Sequence, residues 1–385
     1  MRPFQVAHLG SAEVHPLHRL GGASQRRIVE TALRQAQLGY DVAVYAAGQD
    51  TMVEQLRGFE LRTVRCLTSG PVRRLEFLLR ATADLRHRRP DLVHFHGIPE
   101  GAVAMRGVCP AVLQFDFYIF MRGRLKALHR RALRKFDRLL PVSRYCQRAA
   151  IDHWDISEVP NQVLYNGVNV EQFSPDPVAG SAMRARYGIG DAPVMLYVGR
   201  VCEQKGTDTL LGAYELLRAR MPRARLVVAG PPGQFGRTEG IPLTSRIAQV
   251  GGLYLGAVDE SDLSAVYNMC DVFVMPTREY EMFGMAAAEA QACGKPVVCT
   301  RHGGLIEVVS ERSGRYFTPG DATELACTLE ALLADRAMYQ ELAFEARRNA
   351  MRFAWPVIVD RLDRIYCEVT GREVTGQMDA EAVQA

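Results

Sequence analysis

Several sequence signatures of common enzyme classes are missing from this chain of 385 residues. It has no GxxxxGKS or GxxxxGKT loop, which argues against a P-loop nucleotide hydrolase. It has neither a GxSxG elbow nor an HExxH motif, which argues against serine hydrolases and zinc proteases. It also lacks an Asp-x-Asp pair that could hold a divalent cation on a diphosphate. An enzyme of this sequence that handled a diphosphate would have to neutralise it with side chains and helix ends.

Cysteine pairs and long apolar runs are also missing. The nine cysteines are spread from Cys66 to Cys367 without a CxxC pair, which argues against a disulfide framework or a zinc site and favours a reduced compartment. No run of about 18 apolar residues occurs, so no transmembrane helix is predicted. The first residues lead into a strand-like segment without a secretory apolar core. We predict a cytoplasmic protein, with the inner face of a membrane as the alternative location.

The composition is that of a globular protein with little charge bias. Hydrophobic residues make up 48% and charged residues 23% of the sequence, and the net charge is +4. This charge is too small to indicate nucleic-acid binding, and no nucleic-acid partner is predicted. At about 150 residues per domain, the length favours two to three domains.

Both halves of the sequence alternate short apolar runs with helical patterns. The runs interpreted as strands cover 4–9, 42–46, 92–95, 111–115 and 139–142 in the first half, and 194–198, 226–229, 253–255, 272–275 and 297–299 in the second. Helical patterns cover 24–38, 321–350 and 355–369, and a linker rich in Pro, Gly and Asn is predicted at 167–193. This alternation is typical of βαβ units around buried parallel sheets. We therefore predict the α/β class, with two doubly wound, Rossmann-like domains facing each other across a cleft.

The first candidate site follows the strand predicted at 194–198. Gly199 allows a turn there, and Arg200 and Lys205 follow on a polar loop. A planar guanidinium and an ammonium at the carboxyl end of a strand suit a pyrophosphate. Solvated loop charges are an equally weighted alternative from the spacing alone.

The second candidate site covers 276–289, where a strand end leads into a helix predicted to begin near Gly284. The amides of Phe283, Gly284 and Met285 would be unpaired donors that could bind a phosphate or a sugar oxygen. Glu281 in the loop could accept hydrogen bonds from sugar hydroxyls, and Glu289 could reach a ribose diol. A capped helix with two surface carboxylates is the alternative.

Two weaker signals lie in the first half. The pair Gly21–Gly22 precedes a helix and would allow an anion to approach the backbone, although most such pairs are simple turns. His94 and His96 lie on one predicted strand. We expect one imidazole to face in and the other out, so that the two cannot share a metal. A packed or capping role is the alternative to catalysis.

Taken together, these segments resemble those of the retaining glycosyltransferases of family four, the glycosyl transferases group 1, which have the two-Rossmann GT-B fold. The resemblance covers almost the whole chain in order. It is carried by DLVHFHG, LLPVSRY, VLYNGVNVEQFSP, LYVGRVCEQKG, EYEMFGMAAAEAQACGKPVV and HGGLIEVV. The most specific part is the glutamate pair with Phe-Gly between its members, followed by EAxxxGxPVV and GGxxE.

The resemblance implies roles for the donor side. Arg200 and Lys205 would hold the donor diphosphate in place of a metal, and no metal or other cofactor is expected. Glu281 and the backbone of Phe283–Met285 would hold the donor sugar, and Glu289 would bind the ribose.

Further roles follow from the same resemblance. Gly22 would approach the distal phosphate, Val258 would contact the base through its backbone, and His96 would lie near the reacting face of the sugar. Asp116 and Asn166 would lie on the acceptor side. Phe115 stands where the family often has a histidine before the aspartate, which implies a more apolar acceptor pocket.

The resemblance also assigns functions to the domains. The N-terminal domain, 1–170, would bind the acceptor, and the C-terminal helix, 355–372, would cross back to it. The C-terminal domain, 190–350, would bind the nucleotide-sugar donor.

The implied reaction is a metal-independent hexosyl transfer that retains the anomeric configuration through front-face attack. The expected donor is a UDP-sugar, with a GDP-sugar as the alternative, and the acceptor is a lipid, a glycan or a small molecule. A sugar-nucleotide 2-epimerase of the same fold and a non-catalytic nucleotide-sugar binder are the competing hypotheses.

The stretch 120–140 is basic and has apolar residues at helical spacing. A basic amphipathic helix of this kind could make weak peripheral contact with an anionic membrane. The favoured interpretation is an ordinary helix whose apolar stripe faces the core.

Overall fold

The computed structural model of the chain describes residues 2–10, 23–105, 107–116, 126–233 and 240–373. The chain divides into two compact units. Unit 1 consists of the described parts of Met1–Gly167 and Trp355–Ala385, and unit 2 of the described part of Val168–Ala354.

Unit 1 is built on one parallel sheet with a single antiparallel edge. Its described strands are β1 (Gln5–Leu9), β2 (Asp41–Gly48), β3 (Met52–Leu56), β4 (Phe59–Arg65), β5 (Leu92–His96), β6 (Ala111–Phe115) and β7 (Arg138–Pro141). They form a seven-stranded sheet in the order β3-β4-β2-β1-β5-β6-β7. Only β3 pairs antiparallel, with β4. Every residue of β5 and β6 is buried, as expected for strands of a parallel sheet covered on both faces.

The helices of unit 1 come from both ends of the chain. They are α1 (Ala23–Gln37), α2 (Gly70–Arg88), α3 (Gly101–Met105), α4 (Lys126–Leu133), α5 (Arg144–Trp154) and, from the C-terminal end, α14 (Trp355–Thr370).

The C-terminal helix α14 is part of the core of unit 1. Its apolar residues recur at helical spacing, and Trp355, Ile358, Leu362 and Tyr366 are buried in one cluster with strands β1, β2 and β5 and helix α1. A Cβ atom on Gly167 would lie 2.2 Å from the Trp355 ring. The close contact of this ring with the backbone fixes the start of α14 against unit 1.

Unit 2 is built on a second sheet, in which all the paired strands are parallel. Its described strands are β8 (Val194–Val198), β9 (Arg225–Ala229), β10 (Leu253–Gly256), β11 (Val272–Met275), β12 (Val297–Thr300) and β13 (Gly314–Phe317). They lie in the order β10-β9-β8-β11-β12-β13.

The described helices of unit 2 follow its strands. They are α6 (Pro177–Arg186), α7 (Thr207–Arg220), α8 (Gly240–Gln249), α9 (Glu260–Asn268), α10 (Met285–Ala292), α11 (Leu305–Val308), α12 (Ala322–Ala334) and α13 (Arg336–Ala350). The helical pattern at 321–350 is thus two helices. They separate at Asp335, whose carboxylate accepts a hydrogen bond from the Met338 amide and caps α13.

The segment predicted as a linker is packed onto unit 2. It contains α6, and a Cβ atom on Gly180 would lie 2.6 Å from the carbonyl oxygen of Asn268 on α9. The Arg184 guanidinium forms an ion pair with Asp271 at 2.7 Å. Unit 2 therefore starts at Val168, earlier than the predicted boundary at 190.

The ten predicted strands all correspond to strands of the structure, whereas β3, β4 and β13 were not predicted. β3 and β4 are joined by Arg57 and Gly58, which both have positive φ angles, as in a two-residue hairpin turn. Two residues of β3, Met52 and Val53, are 52% exposed. An edge hairpin with this exposure lacks the continuous apolar run that marks the central strands.

Two further features of the described residues concern disulfide bonds and transmembrane helices. All nine cysteines are described, and none forms a disulfide. None of the described helices combines the length and the apolar character needed to cross a bilayer.

Gly206 fixes the start of helix α7 against the loop after β11. Its φ angle is 71°, and a Cβ atom there would lie 1.8 Å from the carbonyl oxygen of Pro276. The position therefore requires glycine both for its backbone conformation and for the contact.

We predict that Gly206→Ala lowers the free energy of unfolding by about 3 kcal/mol, because left-handed strain adds to a steric overlap with backbone. Gly190→Ala is the matched control, since Gly190 has a φ of 60° and no atom within 4 Å of an added Cβ. This control should cost only about 1 kcal/mol. Urea denaturation measures both, and equal losses would contradict the tight contact at Gly206.

Candidate functional site

The carboxyl ends of β8, β9 and β10 are joined by backbone hydrogen bonds. The Gly199 amide donates to Ala229 O at 2.9 Å, and the Gly230 amide donates to Gly256 O at 2.6 Å. A Cβ atom on Gly230 would lie 2.0 Å from Gly199 O. These contacts hold the turn predicted at Gly199 in place. Val258 follows β10 by two residues and is half-buried at this edge.

Arg200 comes directly after this turn, at the end of β8. Its carbonyl oxygen accepts a hydrogen bond from the Tyr197 hydroxyl at 2.7 Å. The side chain is half-buried. The backbone position from which the Arg200 side chain extends is therefore fixed by β8.

Lys205 and Glu281 form the central contact of unit 2. Lys205 ends a single turn of 3-10 helix, Glu203–Lys205, and Glu281 lies in the loop after β11. The Lys205 Nζ lies 2.7 Å from Glu281 Oε2, and the side chains are 17% and 13% exposed. The residues predicted to bind diphosphate and sugar are therefore neighbours, although 76 positions separate them in sequence.

The loop that carries Glu281 is anchored on two sides. The Arg278 amide donates to Gln204 O at 3.1 Å, and the Arg278 guanidinium contacts Asp208 at 2.5 Å. On the other side, the Gly304 amide donates to Glu281 O at 2.7 Å. Because these three contacts do not use the Glu281 carboxylate, the position of the loop does not depend on it.

The Gly303–Gly304 pair allows this close approach. An added Cβ atom would lie 2.3 Å from Glu281 O at Gly303, where φ is 61°, and 2.3 Å from Met282 O at Gly304. In the sequence this pair is only part of a resemblance, and the structure gives it a packing role.

The start of helix α10 follows the same loop. Gly284 caps the helix with a φ of 106°, and Met285 is its first residue. Phe283 is 2% exposed and packs edge-on against Phe353. The first amides of an α-helix have no partner within the helix, so this end can offer donors to an anion or a sugar oxygen.

Glu289 lies on α10 and is only 3% exposed. Its Oε2 accepts a hydrogen bond from the Tyr267 hydroxyl at 2.8 Å. The alternative of a surface carboxylate is therefore wrong for Glu289. Tyr267 was missed in the sequence, because the contact joins two helices and leaves no local pattern.

The prediction that His94 and His96 face opposite ways is wrong. Residues two apart on a strand share a face, and the two imidazole rings stack with centroids 4.1 Å apart. His8 on β1 joins them, with its Nδ1 3.0 Å from His96 Nε2. One nitrogen from each of the three rings lies within 4.8 Å of the other two, so this group could hold a metal ion.

The histidine cluster is buried and electrically neutral near pH 7. Burial lowers the pKa of His8 to about 4. Burial, together with the neighbouring rings and Arg27, lowers the pKa of His94 and His96 well below the ordinary value. Tyr366 on α14 contacts His94 Nδ1 through its hydroxyl at 2.7 Å.

Asp116 and Asn166, predicted on the acceptor side, are brought together by Arg27. The Arg27 guanidinium is 3% exposed and lies 3.2 Å from Asp116 Oδ2 and 3.1 Å from Asn166 Oδ1. Arg27 was not predicted from the sequence. A signal exists, because Arg27, Thr31 and Gln35 repeat every four residues on one buried helix face.

Three further predictions concern unit 1. Gly22 lies outside the described residues. Phe115 packs edge-on against Trp154 and is 4% exposed, so it is a core residue. In the basic stretch, the described helix α4 ends at Leu133 and is followed by β7, so the predicted helix at 120–140 is too long. Residues 117–125 lie outside the described part.

The described part of the basic stretch is paired within unit 1. Ala132 and Leu133 are buried, and His129 contacts Glu100 at 3.1 Å. Arg134 forms an ion pair with Glu158 at 2.5 Å. These contacts favour the ordinary domain helix over a membrane-binding face.

Two family models match consecutive parts of the chain. The model described as glycosyl transferases group 1 matches residues 181–349, and the model described as Glycosyltransferase Family 4 matches residues 21–172.

The relatives that the chain matches carry glycosyltransferase names. A D-inositol 3-phosphate glycosyltransferase of Salinispora arenicola is 29% identical over 417 residues, which cover 95% of this chain and 92% of the relative. A GDP-mannose-dependent alpha-(1-6)-phosphatidylinositol monomannoside mannosyltransferase of Mycolicibacterium smegmatis is 31% identical over 216 residues, 54% of this chain and 56% of the relative.

Solved structures share the fold. The sucrose-phosphate synthase of Thermosynechococcus elongatus has a TM-score of 0.79 at 22% identity and covers 96% of this chain and 99% of its own. A glycosyltransferase from Rickettsia africae has a TM-score of 0.80 at 18% identity, with 97% and 100% covered. The family matches and the shared fold show that this chain belongs to glycosyltransferase family 4 and is a glycosyltransferase with the GT-B fold.

Proposed function

We propose that the chain transfers a hexosyl group from a UDP-sugar to an acceptor hydroxyl, with retention of configuration and without a metal ion. The observation that carries the proposal is the Lys205–Glu281 contact of 2.7 Å at neighbouring strand ends. It places a cation suited to a diphosphate beside a carboxylate suited to sugar hydroxyls. UDP is proposed as the commoner donor among family-four sequences.

In this proposal, Arg200 and Lys205 bind the donor diphosphate and neutralise its charge. The amides at Phe283, Gly284 and Met285 bind sugar or phosphate oxygens, because a helix start supplies unpaired donors. Glu289, oriented by Tyr267, accepts from the ribose hydroxyls. Gly199 and Val258 supply backbone next to the base. No metal ion or other cofactor takes part.

The proposed mechanism needs no protein nucleophile. The acceptor oxygen bonds to the anomeric carbon on the face that the diphosphate leaves, and the acceptor proton passes to the departing phosphate oxygen. The chain contributes by orienting both substrates and by stabilising the charge on the leaving diphosphate. Arg200 and Lys205 supply this stabilisation, and His96 is assigned to the sugar, as the family resemblance implies.

The proposed acceptor is a polyol or sugar hydroxyl held in unit 1. Asp116 and Asn166 offer oxygens that accept hydrogen bonds from hydroxyls, and Arg27 fixes their positions. The relatives named D-inositol 3-phosphate glycosyltransferase support a polyol of this kind. A free polyol phosphate, a glycan and a lipid with a polyol headgroup share this chemistry.

A GDP-sugar is the second candidate donor. It is favoured by the relative whose name specifies GDP-mannose, at 31% identity over 54% of this chain. Both donors present the same diphosphate to Arg200 and Lys205.

A cytoplasmic location is also proposed, and the nine cysteines without a disulfide support it.

We expect Lys205→Ala and Arg200→Ala each to lower the turnover number about a hundredfold, because the loss of one group that stabilises the leaving charge commonly costs about 3 kcal/mol. Released UDP, measured with a donor that supports turnover, gives the rates. Arg220→Ala is the control, since it removes a cation of unit 2 whose partners, Glu330 at 2.7 Å and Cys327 at 3.4 Å, lie at the surface. Wild-type rates in both site variants would contradict the assignment.

A thermal-shift panel of UDP, GDP and ADP identifies the base. UDP is expected to raise the melting temperature most, because at equal concentration the ligand that binds the folded state most tightly stabilises it most. The shift should persist in EDTA if the side chains of Arg200 and Lys205 alone neutralise the diphosphate. A larger shift with GDP would select the second candidate donor, and a shift that EDTA abolishes would contradict metal independence.

A further inference from the structure

The buried centre of unit 1 contains a row of polar groups that runs from helix α1 to strand β5. Gln35, His8 and His96 are 2%, 0% and 3% exposed. Gln35 Oε1 lies 2.7 Å from His8 Nε2, and His8 Nδ1 lies 3.0 Å from His96 Nε2. Each group forms a hydrogen bond with the next. The nitrogen that carries the proton on His8 therefore determines which nitrogen carries the proton on His96.

We propose that Gln35 and His8 are positioning residues that hold His96 in one neutral tautomer, with its proton on Nε2 and a lone pair on Nδ1. One part of the proposal rests on the proposed function. This part is the identity of the ligand of His96, which we take to be a hydroxyl group of the sugar substrate.

The direction of the hydrogen bonds follows from the amide oxygen, which can only accept. His8 must therefore donate from Nε2 to Gln35. A neutral imidazole carries one N–H, so the Nδ1 of His8 has a lone pair. His96 must then donate from Nε2, and its own Nδ1 is left as an acceptor.

Tyr366 lies beside His94, the other histidine of β5. Its hydroxyl is 2.7 Å from His94 Nδ1, and both side chains are buried. A tyrosine hydroxyl can donate to an imidazole nitrogen or accept from it, so the tautomer of His94 does not enter the proposal.

The neutral state of the rings preserves this order. Burial lowers the pKa of His8 to about 4, and burial first, then the neighbouring rings, lowers the pKa of His94 and His96 well below the usual range. Protonated rings, which would donate from both nitrogens, are therefore disfavoured near pH 7.

The acceptor nitrogen of His96 selects the chemistry of its ligand. Among the residues that the structure describes, no group donates a hydrogen bond to His96 Nδ1. A buried polar atom without a partner destabilises the structure, and a ligand that brings a donor removes this penalty. A sugar hydroxyl can donate, whereas an ionised phosphate can only accept. His96 is therefore suited to the sugar and not to the diphosphate.

A metal ion held by the three histidines is the competing interpretation. The 3.0 Å separation of His8 Nδ1 and His96 Nε2 is an ordinary hydrogen-bond distance. The rings of His94 and His96 stack with 21° between their planes, so their lone pairs run side by side, whereas tetrahedral metal sites need converging ligands. Both features favour a hydrogen bond between His8 and His96 over a metal ion held by the three histidines.

Long-range hydrogen–nitrogen correlation spectra of protein with 15N-labelled histidine measure the tautomers directly. We expect the Nε2–H form for His8 and His96 at neutral pH. Assignment uses the variants His8→Asn and His8→Phe. A Nδ1–H form for His96 would overturn the proposal.

The two variants also separate positioning from packing. His8→Asn keeps an amide oxygen where Nδ1 lies and can still accept from His96, whereas His8→Phe keeps a ring without an acceptor. For His8→Phe we expect mixed His96 tautomers and a turnover number lowered about tenfold to hundredfold. His8→Asn should restore the single tautomer and most of the rate. Equal rate losses in both variants, with an unchanged His96 spectrum, would show that His8 only packs.

Two controls keep the outcomes distinct. Nucleotide affinity, measured by calorimetry, should be the same in both variants, because the proposed nucleotide contacts lie in unit 2. Zinc titration followed by the same spectra tests the metal: stoichiometric binding that removes the Nε2–H signals would overturn the proton chain. The spectra need no turnover. The expected spectra without transfer activity would contradict the proposed function and leave the tautomer assignment standing.

Discussion

The convergence of parallel strand ends in unit 2 is the constraint on which the candidate donor site depends. β8 and β11 are neighbours in the sheet, so the segments that follow them meet, and Lys205 contacts Glu281 at 2.7 Å. An ion pair at this exposure contributes on the order of 1 kcal/mol, too little to hold two loops together. The loops are held by backbone contacts at Gly206, Gln204 and Gly304. The charges are therefore available for substrate, because the fold does not depend on their pairing.

Unit 1 differs from unit 2 in that a network of polar side chains lies in its core. A buried polar group without a partner is costly, and here most partners are supplied by elements distant in sequence. Gln35 on α1 joins His8 on β1, and Tyr366 on α14 joins His94 on β5. The C-terminal helix thus contributes both apolar packing and one end of a polar network. Arg27, on the same face of α1 as Gln35, extends this polar face to Asp116 and Asn166.

The sequence predicts the parallel sheets well because their central strands are buried on both faces and read as continuous apolar runs. β8 and β11 have the predicted bounds, whereas the exposed β3 edge offers no such run. The wrong orientation of His94 and His96 was an error in applying the strand period of two, which places both on one face. Arg27 and Tyr267 were missed for another reason. Their partners lie 89 and 139 positions away for Arg27 and 22 for Tyr267, and only the tertiary fold brings these groups together.

The central claim is that Lys205 binds the donor diphosphate in exchange for its contact with Glu281. Calorimetric titration of UDP into wild-type protein and into Glu281→Gln tests this claim most directly. The variant removes the carboxylate that competes for Nζ and keeps the size of the side chain. We expect Glu281→Gln to bind UDP about threefold to tenfold more tightly, since a partly buried ion pair contributes on the order of 1 kcal/mol. Weaker binding of UDP by Glu281→Gln would contradict it, because the carboxylate would then support nucleotide binding and not compete with it.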